Sequence, residues 1–280
     1  MRLNDAKKEI IAILSNNSDV ENAPREFSII AEFSLGISKL DQIIKPDIEI
    51  SSSDYQKLLE CANQRLNHTP LSYITQKREF FGLDFYVSEN TLIPRPDTET
   101  LVEEALNELK NIPCPDVLDL CTGTGAIGIA IKSNISCTLT LSDISEEALK
   151  ITKKNAHSLI NDDCTIICSD LFAKISKKFD IIVTNPPYLT QEWYSIVTDE
   201  VKKEPKSALV SDNNDGLDII RKIIIQSPKH LKNGGFLMIE CDYRQTALCA
   251  KLLSKAGFKE IKIVKDLANK ERVVRGTYYA

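Results

Sequence analysis

The sequence predicts an α/β chain, with a mostly parallel sheet covered on both faces by helices and an all-α domain in front of it. From Asp116 onward, short near-continuous apolar runs alternate with amphipathic helical stretches, the signature of strands buried on both faces. Before Lys77 the apolar residues recur only at helical spacing, which predicts a bundle of about 70 residues. The last two apolar runs, "KEIKIVKD" and "RVVRGTYY", are joined by a short polar loop with no helix between them. They predict an antiparallel hairpin at one edge of the sheet.

In the front domain, "LNDAKKEIIAIL" and "REFSIIAEFSL" are amphipathic, with breaks at "SNNSD" and "IKPD". "SSSDYQKLLECANQRL" places Tyr55, Leu58, Leu59, Ala62 and Leu66 on one helical face, and Ser53 with Gln56 fits a capping box. "REFFGLDFYV" predicts two short strands around Gly82, a hairpin linking two domains. A proline-stiffened loop, "LIPRP", then leads to a helix starting near Asp97. The expected division is 1–76 for the helical bundle, 77–92 for the hairpin and 93–280 for the α/β domain.

Within the α/β domain the order is strand "DVLDL", helix "AIGIAIKS", strand "CTLTLSD", helix "SEEALKITKKNAHSLI" capped by Ser145, and strands "CTIICSD" and "FDIIVTN". Helix 216–230, strand "GGFLMIE" and helix 243–255, closed by Gly257, precede the final hairpin. Seven strands ending this way suit a Rossmann-like class I methyltransferase sheet better than a six-stranded parallel dinucleotide fold.

Bulk properties narrow the function classes. The chain has 280 residues, 42% of them hydrophobic, and a formal net charge of −5 with neither half basic. That is not the footprint of a chain that grips nucleic acid by its phosphates. The start, "MRLNDAKKEIIAIL", is charged early and reads as no secretory leader, and no apolar run is long enough to span a membrane. Eight cysteines lack a CxxC pair, and His68, His157 and His230 are far apart, so reduced core cysteines and no metal site are expected. A cytoplasmic monomer is the expectation.

"DLCTGTGAIG" leaves the first strand of the α/β domain and enters its first helix. Gly123, Gly125 and Gly128 match G-x-G-x-x-G, and Asp143 ends the next strand twenty residues beyond Gly123. The glycines allow a sharp turn and close approach of a ligand, and an acidic strand end can accept hydrogen bonds from both ribose hydroxyls. A tight turn without a ligand is the bland alternative. NAD and S-adenosylmethionine both suit this pattern. Asp119, at the end of the first strand, tips the choice: a carboxylate can face the cationic methionine part of S-adenosylmethionine but repels a pyrophosphate.

The strand "FDIIV" is followed by "TNPPYL", where two prolines stop the ladder. Ligands in open α/β sheets sit outside the carboxyl ends of the strands, so Asn185, Pro186, Pro187 and Tyr188 should lie beside the glycine loop. A planar NH₂ conjugated to a carbonyl or a ring is a poor nucleophile. The Asn185 side-chain oxygen and the Pro186 carbonyl can hold its two hydrogens, with the lone pair turned toward an activated methyl, and Tyr188 can stack on the planar group. Adenine N6, cytosine N4 and glutamine amides all satisfy this description.

Taken together, "LSYITQKREFFGLDFYV", "LIPRPDTETLVEEAL", "DLCTGTGAIGIAI", "SDLF", "VTNPPYL", "EPKSAL", "DGLD" and "KDLANKERVV" resemble the bacterial-type release factor glutamine methyltransferases over nearly the whole chain. The resemblance implies methyl transfer from S-adenosylmethionine, leaving S-adenosylhomocysteine, to the glutamine amide in the Gly-Gly-Gln loop of class 1 peptide chain release factors. It implies that Cys121, Thr122, Gly123, Thr124 and Gly125 wrap the cofactor, Asp143 holds its ribose, and Asp170 and Leu171 border the adenine. It implies further that Asn185 to Tyr188 bind the glutamine, Arg95 and Pro96 close one side, Glu204 and Pro205 order a loop over the site, and the helical domain helps engage the release factor. Three departures stand out: Cys121 replaces a usual glycine, "SDNNDG" replaces a more glycine-rich stretch, and Asp242 stands where glycine is common. A glutamine methyltransferase acting on a ribosomal protein is the nearest rival. A nucleic-acid adenine N6 methyltransferase and an NAD-dependent dehydrogenase are more distant ones.

Overall fold

Two units divide the chain: Met1–Gln76 together with Val197–Lys203, and Lys77–Ile196 together with Glu204–Ala280. The computed structural model describes residues 1–211 and 214–280, so part of the "SDNNDG" departure, Asp212 and Asn213, lies outside the described residues.

The first unit holds α1 (Leu3–Leu14), α2 (Ala23–Leu35), α3 (Lys39–Ile44), α4 (Ser52–Leu66) and α5 (Leu71–Ile74). Ile10, Leu14, Phe27, Ile30, Leu58 and Ala62 interlock as its core. The cap of α4 is Ser51, not Ser53. Its hydroxyl accepts from Asp54 N–H at 3.0 Å, and the Asp54 carboxylate accepts from Ser51 N–H at 3.4 Å. Ser51-x-x-Asp54 and Ser53-x-x-Gln56 both fit the pattern, but a carboxylate at the positive end of a helix is favoured over a neutral amide. Leu66 is exposed, and Arg65 takes the buried position instead, 1% exposed. Its charge is tolerated because Glu26 accepts from Nε at 2.7 Å, Thr69 O accepts from Nη1 at 2.7 Å and Glu200 approaches Nη2 at 3.4 Å.

The second unit opens with the hairpin β1 (Lys77–Phe80) and β2 (Leu83–Tyr86), turned by Phe81 and Gly82, both at positive φ. A 3₁₀ turn over Pro96–Thr98 leads into α6 (Glu99–Leu109). There follow β3 (Asp116–Leu120), α7 (Ala126–Asn134), β4 (Thr138–Asp143), α8 (Glu146–Ile160), β5 (Thr165–Cys168) and β6 (Phe179–Thr184). After the short α9 (Gln191–Ser195) and α10 (Lys206–Leu209) come α11 (Asp218–Gln226), β7 (Leu231–Glu240), α12 (Thr246–Lys255), β8 (Lys259–Lys265) and β9 (Glu271–Tyr278).

Among the described residues the large sheet has seven strands in the order β5-β4-β3-β6-β7-β9-β8. Its first five are mutually parallel, while β9 runs antiparallel to both β7 and β8, as the helix-free loop before β9 predicted. Alternation along the strands explains their unbroken apolar character. Val117, Ile181, Val183 and Met238 pack with α6 and α7 on one face. Leu118, Ile182, Leu237 and Ile239 pack with α11 and α12 on the other. Two helices are shorter than their sequence pattern: α11 starts after Gly216, whose φ of 71° is left-handed, and α12 starts after a turn in which Gln245 N–H donates to Asp242 O. The chain passes from β3 to β4 on one side and reaches β6 on the other, so a crevice opens at the carboxyl ends of β3 and β6.

Candidate active site

A cavity of about 380 Å³ occupies that crevice, within the size range of small-molecule sites. Of the residues expected to hold a cofactor, Cys121, Thr122, Gly123, Thr124, Asp143, Asp170 and Leu171 line it. Asn185, Pro187 and Arg95 line it as well. Chain segments far apart in sequence therefore meet where the strand-end rule places them.

The glycine loop is braced from behind. Asp119 is 0% exposed and does not line the cavity, which corrects its expected role of facing a cofactor's charge. One of its oxygens accepts from Thr122 Oγ1 at 2.6 Å and from Gly128 N–H at 2.9 Å; among the described residues the other has no partner. Burial pushes its pKa up to about 7, against those two hydrogen bonds. Gly128 is where α7 touches the sheet: a Cβ there would lie 2.5 Å from Leu141 and 3.0 Å from the Asp119 Cβ. Gly125 lies outside the lining and, at φ 85°, forms the left-handed residue that starts α7. Cys121 also sits in the left-handed region, at φ 60°, which explains why glycine suits the position and costs a cysteine roughly 1–2 kcal/mol. Desolvation and the neighbouring Asp143 charge push its thiol pKa up, which favours the protonated form.

Asp143 straddles the loop and the next helix, accepting from Gly123 N–H at 2.9 Å and Ser145 N–H at 2.9 Å. Burial raises its pKa, opposed by these backbone bonds. Each of its oxygens retains a lone pair, and the side chain lines the cavity. Thr122 N–H is bonded to Ser142 O, Gly125 N–H to Thr122 O and Gly128 N–H to Asp119, so these three loop donors are spent internally. The charged lining is four acids (Glu89, Asp143, Glu147 and Asp170) against Arg95. Ile144 was not anticipated; it is 66% exposed beside Asp143 and lines the cavity. An isoleucine directly after the strand-end acid was the available signal.

The far wall is built by the "IPRPDT" and "NPPY" segments. Glu204, buried, accepts from Ile93 N–H at 2.9 Å and pairs with Arg95, so it fastens the loop that carries Arg95. Burial raises its pKa, and the Arg95 charge opposes that rise. Pro96 is exposed on the 3₁₀ turn and does not line the cavity, contrary to expectation. The two faces of the "NPPY" corner differ. Asn185 and Pro187 face the cavity, while Pro186 is buried, and among the described residues no donor is bonded to its carbonyl. Tyr188 is not in the cavity wall; it packs against the α11/α12 cluster, where burial raises its hydroxyl pKa. The half-buried ring is thus packed on the α11/α12 cluster and does not form a wall of this cavity.

Gln245 secures that corner. Its amide nitrogen donates to Tyr188 O at 2.9 Å and to Asp215 O at 2.8 Å, and its oxygen accepts from Asp242 N–H at 3.2 Å. Asp242, the third departure, accepts from Arg244 through both backbone and side chain. Arg272 in turn joins Asp97 (2.9 Å) to Asp266 (3.2 Å), connecting "KDLANKERVV" with "IPRPDTE". "KDLANKERVV" carries part of the resemblance, but nothing in the local sequence gives Arg272 or Gln245 these partners; the fold brings them together.

The sheet order and this loop-and-corner cavity define a methyltransferase of the seven-stranded class. Residues 98–212 match the model of the methyltransferase small domain, and residues 5–75 match that of the PrmC N-terminal domain. The chain belongs to the family of release factor glutamine methyltransferases. It is 38% identical over 275 residues to the enzyme of that name from Buchnera aphidicola, covering 98% of both chains. It is 34% identical over 261 residues to the one from Escherichia coli, covering 92% of this chain and 94% of that one. A solved T. thermophilus 16S rRNA methyltransferase in complex with AdoMet and guanosine shares the fold, with a TM-score of 0.51 and 18% identity over 72% of this chain and 49% of that one. Among the described residues no helix is long and apolar enough to cross a membrane.

Proposed function

We propose that this chain methylates the side-chain amide nitrogen of the glutamine in the Gly-Gly-Gln loop of class 1 release factors, with S-adenosylmethionine as donor. The donor supplies a methyl group activated on a sulfonium sulfur. The residues suit it: the acidic lining favours a cation over a pyrophosphate. The discrimination expected of Asp119 therefore falls to Asp143, Glu147, Asp170 and Glu89. Asp143 would accept from ribose hydroxyls, Leu171 and Ile144 would cover the adenine, and Cys121 to Thr124 would hold the remainder.

Asn185 carries the reading. Its side chain reaches the cavity, and beside it the Pro186 carbonyl lies on a backbone stiffened by two prolines. An amide nitrogen whose two hydrogens rest on these acceptors has its lone pair turned out of the amide plane. The acceptors also stabilise the positive charge that develops on those hydrogens, so no strong base is needed. Tyr188 serves by locking the corner into the core. The helical unit supports a protein acceptor by its match to the PrmC N-terminal domain.

The test is incubation with labelled methyl donor and, in separate reactions, a class 1 release factor and a ribosomal protein extract, with mass spectrometry to locate the label. Label on the Gly-Gly-Gln glutamine is expected. Label on a ribosomal glutamine alone would transfer the reading to the rival substrate, and label on no glutamine would overturn it.

A further inference from the structure

β6 and β7 run parallel with Thr184 opposite Ile239, so the residues that follow them, Asn185 and Glu240, emerge side by side. Glu240 is 2% exposed. The Thr98 hydroxyl and the Asn185 amide both favour the ionised form of its carboxylate, and among the described residues Oε2 has no hydrogen-bond partner. Asn185 Nδ2 also lies 3.4 Å from Thr98 Oγ1. One proton assignment is consistent for the three groups. The single Thr98 proton goes to the carboxylate, leaving Thr98 Oγ1 to accept from Asn185. A carboxylate can only accept, so the donor end of the Asn185 amide must face it.

We propose that Glu240, together with Thr98, is the positioning residue for Asn185, holding the amide NH₂ against the protein so that Oδ1 is presented to the cavity. The inference rests on the reading of Asn185 as the acceptor of a substrate N–H. Reversing the amide would set its oxygen against a buried carboxylate and present a donor to a substrate that itself offers donors. Which end of Asn185 faces the substrate is thereby decided by a residue that does not line the cavity.

The groups facing Glu240 come from several elements. Arg272 on β9 favours its ionised form, Asp97 on the 3₁₀ turn disfavours it, and Tyr188 and Cys241 lie within its electrostatic reach. Burial dominates and pushes the carboxyl pKa up to about 7. Above that pH the acceptor-only form holds the amide in one orientation. Below it the protonated carboxyl can donate to a reversed Asn185.

The experiment uses the full chain. The ¹⁵N side-chain amide signal of Asn185, assigned by its loss in Asn185→Asp, is followed from acid to alkaline pH in the wild type and in Glu240→Gln. A wild-type titration with a midpoint near 7 that is absent from Glu240→Gln is expected; a signal indifferent to pH in the wild type overturns the proposal. Kinetically, Glu240→Gln should lose about tenfold or more in kcat with acceptor KM and S-adenosylhomocysteine affinity within about twofold. The rise of kcat with pH through the midpoint should disappear. Thr98→Val should show a smaller loss, which Thr98→Ser restores. Wild-type kcat and pH profile in Glu240→Gln would overturn the proposal; if that variant does not fold, the Thr98 pair and the wild-type titration decide it. A titrating Asn185 signal in a protein that methylates no glutamine would sink the functional reading and leave the positioning role standing.

Discussion

Gly216→Ala tests whether the "DGLD" segment shapes the "NPPY" corner. A Cβ on Gly216 would lie 2.1 Å from Tyr188 O, 3.0 Å from Tyr188 C and 2.8 Å from Gln245 Nε2. An ordinary carbon–oxygen contact is roughly 3.3 Å, so something must move by about 1.2 Å. Gly216 also sits at φ 71°, where an alanine costs roughly 1–2 kcal/mol. Retreat of the Tyr188 carbonyl would loosen its 2.9 Å bond from Gln245, and losing that bond adds about 1 kcal/mol. The total is roughly 2–3 kcal/mol of stability, within the range of special-backbone substitutions. A displacement of this size three residues from Asn185 should also lower kcat by about 100-fold. Cofactor affinity should stay within a few-fold, because Gly216 does not line the cavity. Urea unfolding, calorimetric titration with S-adenosylhomocysteine and methylation kinetics measure the three quantities. An alanine variant with wild-type kcat would show that the corner is not held from this side.

Asn185→Ala should abolish methyl transfer while leaving S-adenosylhomocysteine affinity within a few-fold; equal loss of both would place Asn185 in the cofactor site. Asp143→Ala should weaken cofactor binding by roughly 1.5–3 kcal/mol, as expected for charge-assisted hydrogen bonds, and unchanged affinity would put the ribose elsewhere. Glu204→Ala should cost roughly 1–3 kcal/mol in denaturant unfolding, less than a fully buried pair because Arg95 reaches solvent, and should raise acceptor KM as the Arg95 loop loosens. Asp119 has a folded pKa raised from 3.8 to about 7, so its contribution to stability is complete below the lower value and lost as pH rises through the higher one. The stability of Asp119→Asn relative to wild type should therefore improve by roughly 2–4 kcal/mol between pH 4 and pH 8. Parallel stability curves for the two proteins would show that Asp119 titrates normally.

The sequence by itself determined the α/β class, the helical front domain, the antiparallel edge and the meeting of glycine loop, Asp143 and Asn185. Strands buried on both faces must be apolar throughout, and strand ends on one side of a parallel sheet must converge, so these features follow from local pattern and topology. Asp143 and the glycine loop were legible because one strand–turn–helix–strand unit carries them. Only the tertiary structure decided that Asp119 braces the loop from within and that Tyr188 packs on the α11/α12 cluster rather than in the cavity wall, since a side chain at or just past a strand end can point to either face of the turn that follows. It also moved the cap of α4 from Ser53 to Ser51, where two overlapping frames competed and the charged one prevailed. Thr98 and Arg272 lie in segments that carry the family resemblance, but the roles of Thr98, Glu240, Gln245 and Arg272 had no local signal, because each acts on elements remote in the chain. A hydrogen-bond partner is specified by position in space, and position in space is what a one-dimensional pattern lacks.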